Sequence, residues 1–252
     1  MDNPFDLTGN LVLITGGGSG LGLAMAKAIV NAGGSVVITG RTENSLRTAC
    51  EQIGPLSHYM IMDVRDKPAL PAFVAQVEET YGPITGLINN AGNHLKKPIG
   101  ATSDEEFLSV METHVFGGFA LTRECAARMM TRGTGSIIFI TSMSALFGLT
   151  NTVAYTAAKS ALAGMMRELA VELSPKGIRV NAIAPGFMES KLLRQAFAGD
   201  PERERKVMER TPLHQLGTPE DVGFAAVFLC SPGARFITGT QLVVDGGMSI
   251  GF

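Results

Sequence analysis

Cysteine is scarce in this chain of 252 residues, and the three present, Cys50, Cys125 and Cys230, are widely scattered. With no Cys-x-x-Cys spacing and four histidines that do not cluster, neither a disulfide framework nor a zinc site is indicated. An excess of one charge is also lacking. The 21 Lys and Arg against 23 Asp and Glu leave a net charge of −2, which gives no electrostatic footprint for nucleic acid or an anionic membrane. No apolar run is long enough to span a bilayer, and Met1 to Thr8 is polar and acidic rather than an apolar signal segment, so a cytoplasmic protein is expected. Internal repeats, linkers and low-complexity stretches are absent, which predicts a single domain over residues 1–252.

What the chain does have is 45% hydrophobic residues, enough to bury a large core. Apolar runs at 11–15, 35–39, 58–62, 84–89, 136–141, 178–183 and 241–244 alternate with helical patterns. That rhythm is βαβ. Near-continuous apolar strands such as Ser136 to Ile140 suit a parallel sheet covered by helices on both faces, so the expected fold is a doubly wound α/β sheet of about seven strands. The long interruption at 187–217, which carries Met188, Phe197 and a charged cluster from Glu202 to Arg210, follows a strand end where ligands bind in such sheets. It is expected to be a substrate lid, although its charges read alone describe a solvated surface helix.

Two motifs carry chemistry. The first run, Leu11 to Ile14, leads into Thr15, Gly16, Gly17, Gly18, Ser19, Gly20, Leu21 and Gly22, and then a helical pattern begins. Glycines there permit positive φ and remove the Cβ atoms that would keep a pyrophosphate from the free N–H groups of the first helical turn. This is the strand, turn and helix setting of the dinucleotide fingerprint. The second motif is Ser142 followed by Tyr155 and Lys159. In a helix over 151–174 the tyrosine and lysine stand one turn apart, so the ammonium is expected to lower the phenol's pKa, while the Ser142 hydroxyl holds the oxygen of a carbonyl or alcohol.

With these residues the chain resembles the short-chain dehydrogenase/reductase family, whose glycine motif is Thr-Gly-x-x-x-Gly-x-Gly and whose active site is Ser with Tyr-x-x-x-Lys. The resemblance runs over about residues 7 to 250, through Asp63 and Val64, Asn89 to Gly92, Asn181, Pro185 with Gly186, and Asp245 to Gly247. It implies an oxidoreductase that moves hydride between a nicotinamide cofactor and a secondary alcohol or ketone. The implied cofactor contacts are Gly16, Ser19, Gly20, Leu21, Gly22, Arg41, Asp63, Val64, Asn89, Ala91, Gly92, Tyr155, Lys159, Pro185, Gly186 and Ser190. At the end of the second strand the sequence reads Gly40-Arg41, without the acidic residue that would bind ribose hydroxyls. A guanidinium there can bind a phosphate, so NADP(H) is expected over NAD(H).

One position departs from the family. His114 stands where asparagine is usual, the residue that in the family supports a local helix irregularity and a water leading to the lysine. An imidazole titrating near neutrality could relay the proton, or simply fill space. The substrate pocket is expected to include His94, Lys96, Lys97, Ser144, Phe147, Leu149, Phe187 and Met188. Lys96-Lys97-Pro98, and the opening Phe5-Asp6-Leu7-Thr8-Gly9, resemble the gluconate 5-dehydrogenase-like branch, and a carboxylate-bearing sugar acid would suit such cations. The apolar members would equally suit the acyl chain of a 3-oxoacyl thioester on acyl-carrier protein, and His114 leaves open a sensor that binds NADP without turnover. The resemblance further implies a homotetramer, formed through the fourth and fifth helices and the C-terminal segment, with the Ala157 to Met166 stretch as one apolar face.

Overall fold

Leu11–Thr15 is buried at every position, the condition of a central parallel strand whose two faces both carry helices. The computed structural model describes residues 3–251, so Met1, Asp2 and Phe252 of the expected domain and N-terminal stretch lie outside the described residues. Seven strands form one sheet: β1 Leu11–Thr15, β2 Ser35–Gly40, β3 Ser57–Ile61, β4 Ile84–Asn89, β5 Gly135–Ile140, β6 Ile178–Pro185 and β7 Gln241–Val244. Their order is β3-β2-β1-β4-β5-β6-β7, and every neighbouring pair is parallel. The order reverses between β1 and β4, and the carboxyl ends of strands on either side of such a switch point bound a crevice.

The expected strands fall within a residue or two of the observed ones. The largest difference is β6, which continues to Pro185 because Ala184 and Pro185 pair with Val243 and Val244 of β7, a contact no local pattern announces. Helices α1 (Gly20–Asn31), α2 (Glu43–Ile53) and α9 (Pro219–Cys230) cover one face, where Met25, Ile29, Leu46 and Val222 pack on Ile14, Ile38 and Ile183. On the other face lie α3 (Leu70–Tyr81), α5 (Gly117–Arg132) and α6 (Val153–Leu173), with Phe73, Leu121, Met129 and Met166 against Leu13, Leu87 and Phe139. Each such side chain contributes about 1.5–3 kcal/mol on burial. Among the described residues no helix is long and apolar enough to cross a membrane.

Two features shape the site. Helix α4 (Asp104–Met111) runs into α5 through a π-helical turn at Glu112–Phe116, which widens the helix where His114 sits. The 187–217 segment is built of α7 (Lys191–Ala198) and α8 (Pro201–Arg210), and the segment closes on itself through a bridge between Met188 and Gly217. Phe197 is fully buried there, and with Val207 and Leu216 it forms a separate apolar cluster on Met143 and Met248.

Candidate active site

The loops leaving β1 and β4 are stapled together across the switch point. Asn90 donates through Nδ2 to the carbonyls of Thr15 at 2.9 Å and Gly16 at 3.1 Å, while the Thr15 hydroxyl accepts the N–H groups of Asn90 and Ala91. Gly16 takes φ +67°, and a Cβ on Gly22 would lie 2.2 Å from the Gly16 carbonyl oxygen, so only glycine lets α1 seat on this turn. Ser19 precedes α1 but makes no side-chain capping bond, and the first turn contains no acidic residue. By contrast α4, α7 and α8 are capped by Ser103, Ser190 and Asp200. The uncapped N–H groups and helix dipole of α1 therefore fit a pyrophosphate.

A cavity of about 330 Å³ opens beside this turn, lined by Gly16, Ser19, Arg41, Asp63, Val64 and Ala91, among others. Arg41 has no carboxylate partner among the described residues, whereas Asp63 is paired with Arg65 at 2.6 Å, which holds its carboxyl below the ordinary range. Thr42 and Ser45 share the rim with Arg41, so a phosphate there would meet a guanidinium and hydroxyls. The residues present thus fit the adenosine half of a nicotinamide dinucleotide.

Gly92 and Asn93 also line a second cavity, of about 280 Å³, which holds Leu21, Ser142, Tyr155, Lys159, Pro185 and Gly186. The expected serine, tyrosine and lysine therefore meet, although they come from different elements. Ser142 lies just beyond β5, and its Oγ accepts the Ser144 N–H at 3.1 Å, leaving its own proton to donate. Tyr155 and Lys159 are one turn apart on α6, with Nζ 5.4 Å from the phenol ring centroid. Lys159 is fully buried and donates to the Ile140 carbonyl at 2.6 Å, at the end of β5.

The expected lowering of the phenol pKa is not what the geometry gives. Burial pushes Tyr155 up, and the Ser142 hydroxyl only partly opposes this. The same burial brings Lys159 down to about 7, so much of the positive charge assumed from the sequence is lost to desolvation.

His114 is buried, and its Nε2 lies 2.8 Å from the Asn93 carbonyl oxygen, while Nδ1 has no partner among the described residues. Desolvation lowers the imidazole to about 3, so the premise of a relay titrating near neutrality fails. The ring instead occupies the space beside Gly92, where an added Cβ would meet Cε1 at 2.0 Å. It also stands edge-on to Tyr155 at 5.7 Å between ring centroids.

Two expected contacts lie elsewhere. Asn89 points to the opposite face of the sheet and donates to Thr122 of α5 at 2.9 Å, because successive strand residues alternate sides. The residue turned to the crevice is its neighbour Asn90, which the Asn89 to Gly92 motif contains without marking it as the contact. The Ser190 hydroxyl accepts the Leu193 N–H as the cap of α7, outside both cavities. In the mouth of the site His94 lies 4.7 Å from the Tyr155 ring. Lys97 is tied to Glu106 at 2.7 Å, and Lys96 has no such partner among the described residues.

A family profile described as enoyl-(acyl carrier protein) reductase matches residues 16–249. The chain is 36% identical over 228 residues to the inactive 2-(S)-hydroxypropyl-CoM dehydrogenase 2 of Xanthobacter autotrophicus, covering 89% of this chain and 99% of that one. It is 33% identical over 249 residues to gluconate 5-dehydrogenase of Gluconobacter oxydans, covering 98% and 97%. The crystal structure of a gluconate 5-dehydrogenase from Burkholderia cenocepacia, in complex with NADP and tartrate, superposes with a TM-score of 0.94 at 30% identity, covering 99% of this chain and 98% of that one. With its switch-point crevice, its uncapped glycine turn and its joined Ser142, Tyr155 and Lys159, the chain belongs to the short-chain dehydrogenase/reductase family of oxidoreductases.

Proposed function

We propose that this protein is an NADP(H)-dependent dehydrogenase that interconverts a secondary alcohol and its ketone on a small carboxylate-bearing polyol such as gluconate. The observation that carries the reading is the convergence of Ser142, Tyr155 and Lys159 in one cavity abutting the Arg41 cavity. The bound nicotinamide supplies the hydride chemistry, so the chain has to hold the substrate oxygen and move one proton. Ser142 donates a hydrogen bond to that oxygen, and Tyr155 exchanges the proton with it. Lys159, fixed by the Ile140 carbonyl, orients the ribose beside the phenol. Arg41 selects the phosphorylated cofactor: Arg41→Ala is expected to weaken NADP by about 1.5–3 kcal/mol, the worth of a charged hydrogen bond, and NAD hardly at all. Equal losses for both cofactors would refute this assignment.

The small-carboxylate reading draws support from the gluconate 5-dehydrogenases it is similar to, one of which holds tartrate. It is tested by initial rates of NADP reduction with a panel of aldonic acids, run beside NADPH oxidation with a 3-oxoacyl thioester. Thioester reduction alone would transfer the chain to acyl chemistry, a second reading favoured by the apolar Phe147, Leu149 and Phe187 beyond Ser142. Turnover of neither would favour a sensor that binds NADP, against which the intact Ser142, Tyr155 and Lys159 stand. In this reading 187–217 acts as a lid, and NADP should slow limited proteolysis within it; equal cleavage rates with and without cofactor would remove the lid. The assembly and compartment that go with the family resemblance are a homotetramer in the cytoplasm.

A further inference from the structure

Helix α8 has two unlike faces. On its outer side Arg205 pairs with Glu202 at 2.7 Å and with Glu209 at 2.5 Å, and Lys206 lies 3.5 Å from Glu202, so these charges neutralise one another in solvent. The inner side is set by Val207, which is buried in the cluster that packs on Met143, next to Ser142. Arg203 is one turn from Val207 on that same side. Its guanidinium carbon lies 5.9 Å from the centroid of Phe197, which in turn is 6.3 Å from Phe187, next to Gly186 of the crevice.

Arg203 is half-buried, and among the described residues no carboxylate lies within ion-pairing distance of it. A guanidinium withdrawn from water without a counter-charge is unfavourable, while four charged side chains, Glu202, Arg205, Lys206 and Glu209, are paired on the exposed side of the same helix at no such cost. The charge reaches the site: burial together with Lys96, Arg203 and Lys159 holds the His94 imidazole below its ordinary pKa, and His94 is 4.7 Å from Tyr155. Lys96 of the β4 loop and Arg203 of α8 thus both bear on His94 at the cavity, and among the described residues neither is paired with a carboxylate.

We propose that Arg203 is the anion-binding residue of the substrate pocket, taking a carboxylate of the substrate away from the carbon that reacts, with Lys96 sharing the charge from the opposite rim. This rests on the dehydrogenase reading above and adds its specificity determinant. It also gives the lid a purpose, since α8 brings the counter-charge to the substrate when it seats.

The test is calorimetric titration of the cofactor-saturated protein with tartrate and D-gluconate, and with sorbitol as the neutral probe. Arg203→Gln should raise the Kd of both carboxylates roughly 10- to 100-fold, as loss of a charge-assisted hydrogen bond does, and leave sorbitol and NADP affinities unchanged. Arg203→Met keeps the apolar contact with Phe197 and should behave like Arg203→Gln, whereas Arg203→Lys should restore most of the affinity. A Kd for carboxylates that is unchanged in Arg203→Gln and Arg203→Met, or an equal loss for sorbitol or NADP, overturns the proposal, as does a wild-type protein that binds no carboxylate. Carboxylate binding that depends on Arg203 without gluconate turnover leaves this subsite standing and defeats the gluconate reading. Gluconate turnover with an unchanged KM in Arg203→Gln does the reverse.

Discussion

Three ionisable side chains line the cavity that holds Ser142, namely the buried Lys159 and His114 and the half-buried Tyr155, and desolvation makes a prediction for each. Because desolvation raises the Tyr155 pKa, the phenol is protonated at neutral pH and ready to donate, so ketone reduction should run there while alcohol oxidation should accelerate as pH rises toward 10 and above. Flat pH–rate profiles in the oxidative direction would contradict this. Lys159, with an ordinary value of 10.5, titrates at about 7 when folded, so the unfolded chain binds more protons between those values and stability falls as pH drops from 10.5 to 7. Lys159→Met should consequently abolish turnover yet raise Tm at pH 7, by about 2–4 °C for each kcal/mol recovered. His114 behaves similarly in acid: it is neutral when folded down to about 3, while the unfolded chain protonates at 6.5, so stability is lost as pH falls between those values. His114→Asn should reduce that acid sensitivity in urea titrations at pH 4 and 7, with turnover within about a few-fold of wild type because the ring bonds to Asn93 and, among the described residues, not to Tyr155 or Lys159.

At the scale of the element, the first βα unit leaves no room for a side chain at Gly22. The Cβ of Gly22→Ala would strike the Gly16 carbonyl oxygen at 2.2 Å, a backbone atom that cannot rotate away. Overpacking of this kind costs about 1–3 kcal/mol, and the shift of α1 would carry its N–H groups off the pyrophosphate position. Gly22→Ala should therefore lower both Tm and NADP affinity, measured by thermal unfolding and by cofactor fluorescence. The fingerprint was legible because glycine identity and spacing are local. Arg203 was not singled out in the sequence, since its neighbours Glu202, Arg205 and Glu209 make the whole stretch read as a solvated charge cluster until Val207 fixes which side is inward.

For the whole molecule, the long axis formed by α4, the π-helical turn and α5 exposes Phe116 and Phe119, and α6 exposes Val153 and Val171. These lie on the helices that the family resemblance assigns to tetramer contacts. The Ala157 to Met166 stretch is less available than the sequence pattern implied, because Ala158, Leu162, Ala163 and Met166 face inward. Light scattering should give a mass four times that of the chain, and Phe119→Asp with Val171→Asp should reduce it. A monomer at working concentration would eliminate the tetramer.

Sequence alone determined the order of strands and helices, the glycine turn and the identities of Ser142, Tyr155 and Lys159, because hydrophobic period, glycine tolerance and a one-turn spacing are properties of neighbours along the chain. Only the tertiary structure decided which of Asn89 and Asn90 faces the crevice, that Lys97 belongs to Glu106, and that α8 turns Arg203 inward. It alone decided the proton affinities as well. Tyr155, Lys159 and His114 are shifted chiefly by desolvation, which depends on everything packed around a group and is written nowhere in its local sequence.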